Sequence, residues 1–271
     1  MQPANPGHDA AIAVDGLERR RRRHDIVAEA PHRGVAVADR PPASIVIAAL
    51  DEERYVGEAI ESALAQTWEP VEVVVVDDGS TDRTAEIAAS YEGVRVVSQG
   101  NRGLSAARNA GVAASTGEIL AFLDADDVLM PEKLEVQIGR LLADEEPGCV
   151  LASQELFAEG GTEVPPWALG RDAPHFKGLG DAGSHTPNLY PVTMVLPRRL
   201  FDEVGGFDET MAHSEDVDMV FRLMERGVKI ARLPDKVVRR RIHADAMTQD
   251  TEASRAAIFD LFKRRIDRRR G

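Results

Sequence analysis

With 271 residues and 43% apolar side chains, the chain can bury the core of one large α/β domain or two small ones. The net charge of −13 is uneven: 41–250 carries −18, against +1 over 1–40 and +4 over 251–271, and so acidic a body repels nucleic-acid phosphate. A single cysteine, Cys149, excludes an internal disulfide framework and a cysteine-based zinc site. No run of ~18 to 20 apolar residues offers a membrane-spanning helix, and residues 1–30 lack the apolar run of a signal peptide.

Residues 1–40 read as a disordered tail. They lack apolar periodicity and hold a run of arginines, Arg19 to Arg23, that repels itself and stays solvated. Beyond Arg40-Pro41-Pro42 the pattern changes. Ser44 to Ala49 reads as a buried strand, and Tyr55, Val56, Ala59, Ile60, Ala63 and Leu64 fall at helical spacing. Val71 to Val76 is apolar at nearly every position, as parallel strands covered on both faces are. A helix from Thr81 to Ser90, a strand Val94 to Val97, a helix Leu104 to Ala114, a strand Ile119 to Leu123 and a helix Pro131 to Leu142 follow. This alternation predicts an α/β fold, a mostly parallel central sheet flanked by helices.

After residue 148 the rhythm breaks. Val150 to Phe157 reads as a strand. Residues 158–191 are rich in Gly, Pro and His without a period, and a stretch of that length is functional or disordered. Val192 to Leu196 reads as a strand, Arg198 to Val204 as a short helix, and Val228 to Leu233 and Val237 to Ile242 as closing strands. Asp216 to Arg226 predicts an amphipathic helix with Val217, Val220, Phe221 and Met224 on one face. The folded region is thus 41–250, with halves 41–148 and 149–250. From Thr251 a basic helix is expected, with Ile258, Leu261, Phe262 and Ile266 on one face. It docks on the domain or lies on anionic lipid as a peripheral anchor; docking is the first reading.

The most informative signal is where acids fall. Val73 to Val76 runs into Asp77-Asp78-Gly79-Ser80, and Ile119 to Leu123 runs into Asp124-Ala125-Asp126-Asp127. Ligands of open α/β sheets bind outside the carboxyl ends of strands. Carboxylates gathered there oppose one another unless a cation neutralises them, and Mg²⁺ or Mn²⁺ is suited to one or two carboxylates plus substrate phosphates. Turn and cap chemistry alone also explains Asp77, Ser80 and Thr81. It is a weaker account of three acids at 124–127.

Several stretches then resemble one family in order and spacing. They are Ser44 to Glu53, Val75-Val76-Asp77-Asp78-Gly79-Ser80-Thr81-Asp82, Gly103 to Gly111, Gly117 to Asp127, Gly205-Gly206-Phe207-Asp208-Glu209 and Ser214-Glu215-Asp216. The family is the family 2 glycosyltransferases of the GT-A fold, and the termini lie outside the likeness. The resemblance implies inverting transfer of a sugar from a nucleoside-diphosphate sugar, UDP by default, to an acceptor hydroxyl, with Mn²⁺ or Mg²⁺. It implies a nucleotide site at Ala48, Leu50, Glu52, Asp78, Arg108 and Asp124, with Asp78 reading the pyrimidine. Asp124 and Asp126 match the DXD motif, Asp126 as the direct metal ligand, and His243 resembles a histidine near the metal and diphosphate. Asp216 matches the catalytic base, with Glu215 as second candidate. Leu50 and Asp51 depart from the family, where an aromatic residue and Asn are common.

The chemistry agrees with those roles. Transfer builds negative charge on the leaving diphosphate, which a cation stabilises without a proton, while a carboxylate on the opposite face takes the acceptor proton. Structural readings stand beside these. Acids in a first helical turn are favoured by the dipole, which also depresses their pKa. Arg108 and Asn109 could pack and cap rather than touch diphosphate, and a lone histidine such as His243 is more often structural. Arg239, Arg240 and Arg241 are further candidates for the diphosphate. A nucleotidyltransferase is disfavoured by the acidic Leu50-Asp51-Glu52-Glu53 where a basic glycine-rich loop would stand, and a non-catalytic scaffold by the intact acids. No G-x-x-x-x-G-K-[ST] motif occurs, and the G-x-G-x-x-G string from Gly178 to Gly183 falls in the aperiodic stretch 158–191 rather than between a strand and a helix, so it is no dinucleotide fingerprint. The expected partners are the donor and an acceptor of unread identity (polysaccharide, lipid carrier, peptide or small molecule), not nucleic acid. The expected location is cytoplasmic, with the basic tail as a candidate contact at the inner membrane face.

Overall fold

A computed structural model describes residues 39–143, 148–159, 162, 189–211, 213–243 and 263. The arginine run, most of 158–191, with Trp167, His175 and His185, and nearly all of the basic C-terminal segment lie outside the described residues.

The strands are β1 (Ala43–Ala49), β2 (Val71–Asp77), β3 (Val94–Ser98), β4 (Ile119–Asp124), β5 (Val128–Leu129), β6 (Cys149–Ala158), β7 (Met194–Pro197) and β8 (Ile230–Ile242). The helices are α1 (Val56–Leu64), α2 (Thr84–Ala89), α3 (Leu104–Ala114), α4 (Lys133–Leu142), α5 (Arg198–Val204) and α6 (Glu215–Glu225). One eight-stranded sheet has the order β3-β2-β1-β4-β7-β6-β8-β5. The β3-β2-β1-β4 half is parallel throughout, and β7 and β5 alone run against the others.

Strand alternation sorts the core into two layers. Ile45, Ile47, Val73 and Val75 share one cluster with Val56 and Ile60 of α1 and, farther along the sheet, with Leu134 and Ile138 of α4. Val46, Leu120 and Phe122 face the other way, onto α5 and α6 through Leu200, Phe201, Met219, Val220 and Leu223. Phe122, Phe201 and Phe207 stack with centroids 5.2 to 6.0 Å apart. α3 lies flat on β1 and β2 because Gly111 leaves room: a Cβ there would stand 2.3 Å from Val46 Cγ1 and 3.0 Å from Val76 Cγ2.

Most predicted elements stand where periodicity placed them, with four differences. The second helix starts at Thr84, since Ser80, Thr81 and Asp82 spend their hydrogen bonds on the β1–α1 loop. The two closing strands are one 13-residue β8, paired in parallel with β6 across a register shift. Residues 191–193 form a 3₁₀ turn, so β7 begins at Met194. The buried face of α6 is centred on Met219, Val220, Phe221 and Leu223, with Val217 and Met224 at its margin.

Chain order reverses between β1 and β4. β2 and β3 were laid down on one side of β1 and β4 on the other, so their carboxyl ends diverge into a crevice. Ala48, the Asp77-Asp78 pair and Asp124 all lie at that end.

Candidate active site

Two loops form the floor beside β1 and β2, and they are stapled together. Ser80 Oγ accepts the Asp51 amide at 2.9 Å, Asp82 Oδ2 accepts that of Glu53 at 2.9 Å, and Thr84 Oγ1 accepts that of Glu52 at 2.7 Å. In return Asp51 Oδ1 accepts the Thr81 amide at 2.7 Å and Glu53 Oε2 accepts the Arg83 amide at 3.1 Å. Asp51 takes a left-handed backbone, φ +54°, which Asp tolerates better than most residues. Leu50 is left exposed at the rim. The departure from the family pattern at these two positions thus leaves the loop held by side-chain acceptors rather than loosened.

Asp78 is buried, and its carboxylate already holds a loop. Oδ1 accepts Gln99 Nε2 at 2.7 Å and the Arg102 amide at 2.9 Å, and Oδ2 accepts the Gly103 amide at 2.8 Å. A carboxylate has about four lone-pair sites, so one further donor can be met. Asp77 turns away to cap the Ser80 amide at 3.1 Å, as the turn reading expects.

The acids after β4 divide their labour. Asp126 Oδ2 meets His243 Nε2 at 3.1 Å, and its backbone carbonyl accepts Arg241 Nε at 2.9 Å. Burial, then the neighbouring Asp124, push the Asp126 pKa up, against the pull of His243 and Arg240. Asp127 is buried, accepts the Arg241 amide at 2.8 Å and faces Arg240 Nε at 3.4 Å. Burial and Asp126 raise its pKa well above the usual range. β5 follows at once and pairs with β8, Val128 opposite Arg239, which delivers His243 to Asp126. His243 also packs on Tyr55, centroids 5.1 Å apart. Arg241 lies between the Tyr55 and Phe157 rings and pairs with Glu58. Arg240 and Arg241 are therefore tied internally, to Asp127 and to Glu58 and the Asp126–Asp127 segment.

The fourth group is built around Arg108, which is 2% exposed. Its Nη2 donates to Asp124 Oδ1 at 2.7 Å and its Nη1 to Glu215 Oε1 at 2.7 Å, while the guanidinium lies 5.5 Å from the Phe207 ring centroid. Glu215 opens α6 and Asp216 follows it. Ser214, just before, has φ +64°, an uncommon backbone for a non-glycine residue and one that clusters at functional sites. Burial and Glu215 push the Asp216 pKa up to about 7, although the Val217 amide, 2.7 Å away, and Arg108 favour the anion. This corrects the expectation that the helix dipole leaves the carboxyl depressed: loss of hydration outweighs it. Asn109, next to Arg108, holds the loop before α6. Its Nδ2 donates to Phe207 O at 2.9 Å and its Oδ1 accepts the Phe207 amide at 2.9 Å. The packing reading of Asn109 is the one observed. Gly206, φ +72°, admits that contact, since a Cβ would stand 2.8 Å from Asn109 Oδ1.

Sequence reasoning therefore named Asp78, Arg108, Asp124, Asp126, Glu215, Asp216 and His243 at one end of the sheet, along with Ala48 and the Leu50–Glu52 rim. It did not find Tyr55, read only as an apolar helix position, nor Asp127 as the tie to β8. Glu159 pairs with Arg54 at 3.2 Å and approaches Arg241 at 3.7 Å, and nothing in its local pattern marks it. Among the described residues no three His, Cys, Asp or Glu side chains converge into a cage for an ion. The Asp126–His243 pair, with the free oxygen of Asp124 on the same segment, fits a cation that takes its remaining ligands from a bound diphosphate.

A twisted α/β sheet whose switch point is lined by acids, with a carboxylate-bearing helix facing it, is the architecture in which ligands bind in the crevice outside the carboxyl ends of the strands. The glycosyl transferase family 2 model matches residues 44–205. An uncharacterized glycosyltransferase of Rickettsia prowazekii is 33% identical over 226 residues, covering 81% of this chain and 70% of that one. The chondroitin synthase of Pasteurella multocida is 30% identical over 209 residues, 76% of this chain but 21% of the synthase. Among solved structures, S. aureus TarS residues 1–349 superposes with TM-score 0.58 at 25% identity, covering 74% of this chain and 60% of that segment. The Pyrobaculum calidifontis mannosyltransferase PcManGT, in complex with GDP-Man and Mn²⁺, gives TM-score 0.65 at 19% identity, over 85% of this chain and 66% of that one. The chain belongs to glycosyltransferase family 2 and has the GT-A fold. No helix among the described residues is long and apolar enough to cross a membrane.

Proposed function

We propose that the chain moves a sugar from a nucleoside-diphosphate sugar, a UDP-sugar first, to an acceptor hydroxyl by single displacement with inversion. The observation that carries this reading is the Asp216 carboxyl at the start of α6, tied through Glu215 and Arg108 to Asp124 at the end of β4. One buried cation thereby links the donor side of the crevice to the helix that bears the base. Solved TarS complexes with UDP-GlcNAc and the PcManGT complex with GDP-Man support the donor class.

In this reading the Leu50–Glu52 rim and the β2–α2 loop hold the base, with Asp78 offering its remaining lone pair to a ring N–H. Asp126 and His243, with Asp124 beside them, would hold Mn²⁺ or Mg²⁺, which when bound neutralises charge developing on the leaving diphosphate. Asp216 accepts the acceptor proton as its oxygen attacks the anomeric carbon from the face opposite the diphosphate.

Asp216→Asn removes the proton acceptor and keeps the shape. It is expected to bind donor nucleotide as wild type does and to lose about 10²- to 10⁴-fold in turnover, read as UDP release from the donor the wild type consumes. Unchanged turnover would remove Asp216 from the mechanism.

A further inference from the structure

The resemblance places Arg108 in the nucleotide site, and the structure gives it other work. Both terminal nitrogens of its guanidinium are engaged at 2.7 Å, one by Asp124 and one by Glu215, and the side chain is shielded from the crevice. Its flat face is covered by Phe207. The two carboxylates belong to residues 91 positions apart, one closing β4 and one opening α6. A forked guanidinium fixes direction as well as distance at both ends, which an ammonium cannot do.

Neighbouring contacts act in the same sense. Asn109 holds Phe207 by two hydrogen bonds, and Arg102, whose amide Asp78 anchors, pairs with Glu209 at 2.9 Å. The loop leading into α6 is therefore fastened at several points to α3 and the segment just before it. We propose that Arg108 is a positioning residue and not a nucleotide ligand: it fixes the N-terminal turn of α6 against the end of β4, so that Asp216 stands at a set place before the donor. The proposal rests on Asp216 being the base. The groups facing that carboxyl are Glu215 on its own helix, Arg108 from α3 and the Val217 amide.

The test uses the full chain and two readouts that do not need an acceptor. Calorimetry with UDP and Mn²⁺ reads nucleotide affinity, and carboxyl ¹³C NMR reads the Asp216 titration, assigned by its loss in Asp216→Asn. In Arg108→Met, UDP affinity is expected to stay within about threefold of wild type. The Asp216 midpoint is expected to climb above about 7, because the cation that favoured its anion is gone. A tenfold or greater loss of UDP affinity with the midpoint unmoved would make Arg108 a nucleotide ligand and overturn the proposal; no change in either quantity would show that Arg108 does not set the Asp216 environment and would overturn it too.

Arg108→Lys serves where the methionine variant does not fold. It keeps the charge but cannot bridge two carboxylates, so the midpoint is expected to stay near about 7 while amides of 215–220 exchange faster with solvent. Unchanged exchange there would overturn the bridge. If the wild type binds no UDP, the donor reading fails, and the Asp216 midpoint and amide exchange still decide the role of Arg108.

Discussion

At the residue scale, environment sets the chemistry of Asp216. A carboxyl in open solvent would be ionised throughout the neutral range and a weak base. Burial beside Glu215 brings this one to about 7, near where a base combines availability with proton affinity. As the proposed base, Asp216 works deprotonated, so activity falls about tenfold for each pH unit below the midpoint and rises with pH through it. An acid limb in kcat/KM with a midpoint near pH 7 is expected. A limb near pH 4 would mean that the working carboxyl is not this one or is not dehydrated. The helix start was legible here and the charge state was not. Ser214-Glu215-Asp216 marks a helix start, but the partner that sets its charge balance, Arg108, stands more than 100 positions earlier. Spacing in the sequence carries no information about that meeting.

At the scale of elements, α3 and α4 illustrate two ways a helix is fixed. α3 depends on close approach, and Gly111→Ala forces a methyl into Val46 and Val76. Overpacking of this kind costs about 1 to 3 kcal/mol, to be read as a lowered denaturation midpoint; a stability equal to wild type would mean that α3 can shift outward freely. α4 depends on a buried polar set. Lys133 Nζ donates to Gln137 Oε1 at 2.6 Å and to Val192 O at 3.0 Å, tying the helix to the turn before β7. Burial lowers its pKa to about 7. The unfolded chain then binds a proton the folded chain lacks between about pH 7 and 10.5, so this residue makes stability rise with pH across that window. Cys149, pushed by burial to about 12, acts oppositely above its own unfolded value. Lys133→Met is therefore compared with wild type pH by pH: the stability of the variant relative to wild type should fall from pH 7 to pH 9.5, as the wild type gains stability across that window. A constant difference would contradict the dehydrated lysine. The helices and strands of 44–142 were legible because strict apolar periodicity and acid or glycine punctuation coincide there. β5 was not, since two residues carry no period, and its existence depends on pairing with β8 over 100 positions later.

At the scale of the molecule, the chain assembles two unlike halves on one sheet. The parallel β3-β2-β1-β4 portion follows from sequence alternation alone. The mixed β7-β6-β8-β5 portion does not, because its order is not the chain order and β8 is a single strand where a polar Pro234-Asp235-Lys236 segment suggested a break. What joins the halves at the crevice is charge: Asp124 and Glu215 on Arg108, Asp126 on His243, and Asp127 on Arg240 and the Arg241 amide. The acidity of the body, legible at once, is thus partly internal counter-charge.

The central claim is that nucleotide and cation meet at the ends of β1 and β4, and calorimetry with UDP, with and without Mn²⁺, in wild type and Asp126→Ala, tests it most directly. The account predicts UDP binding that Mn²⁺ strengthens in wild type, with the Mn²⁺ effect lost in the variant. No binding of UDP, dTDP or GDP under any metal condition, or a Mn²⁺ effect that persists without Asp126, would contradict it.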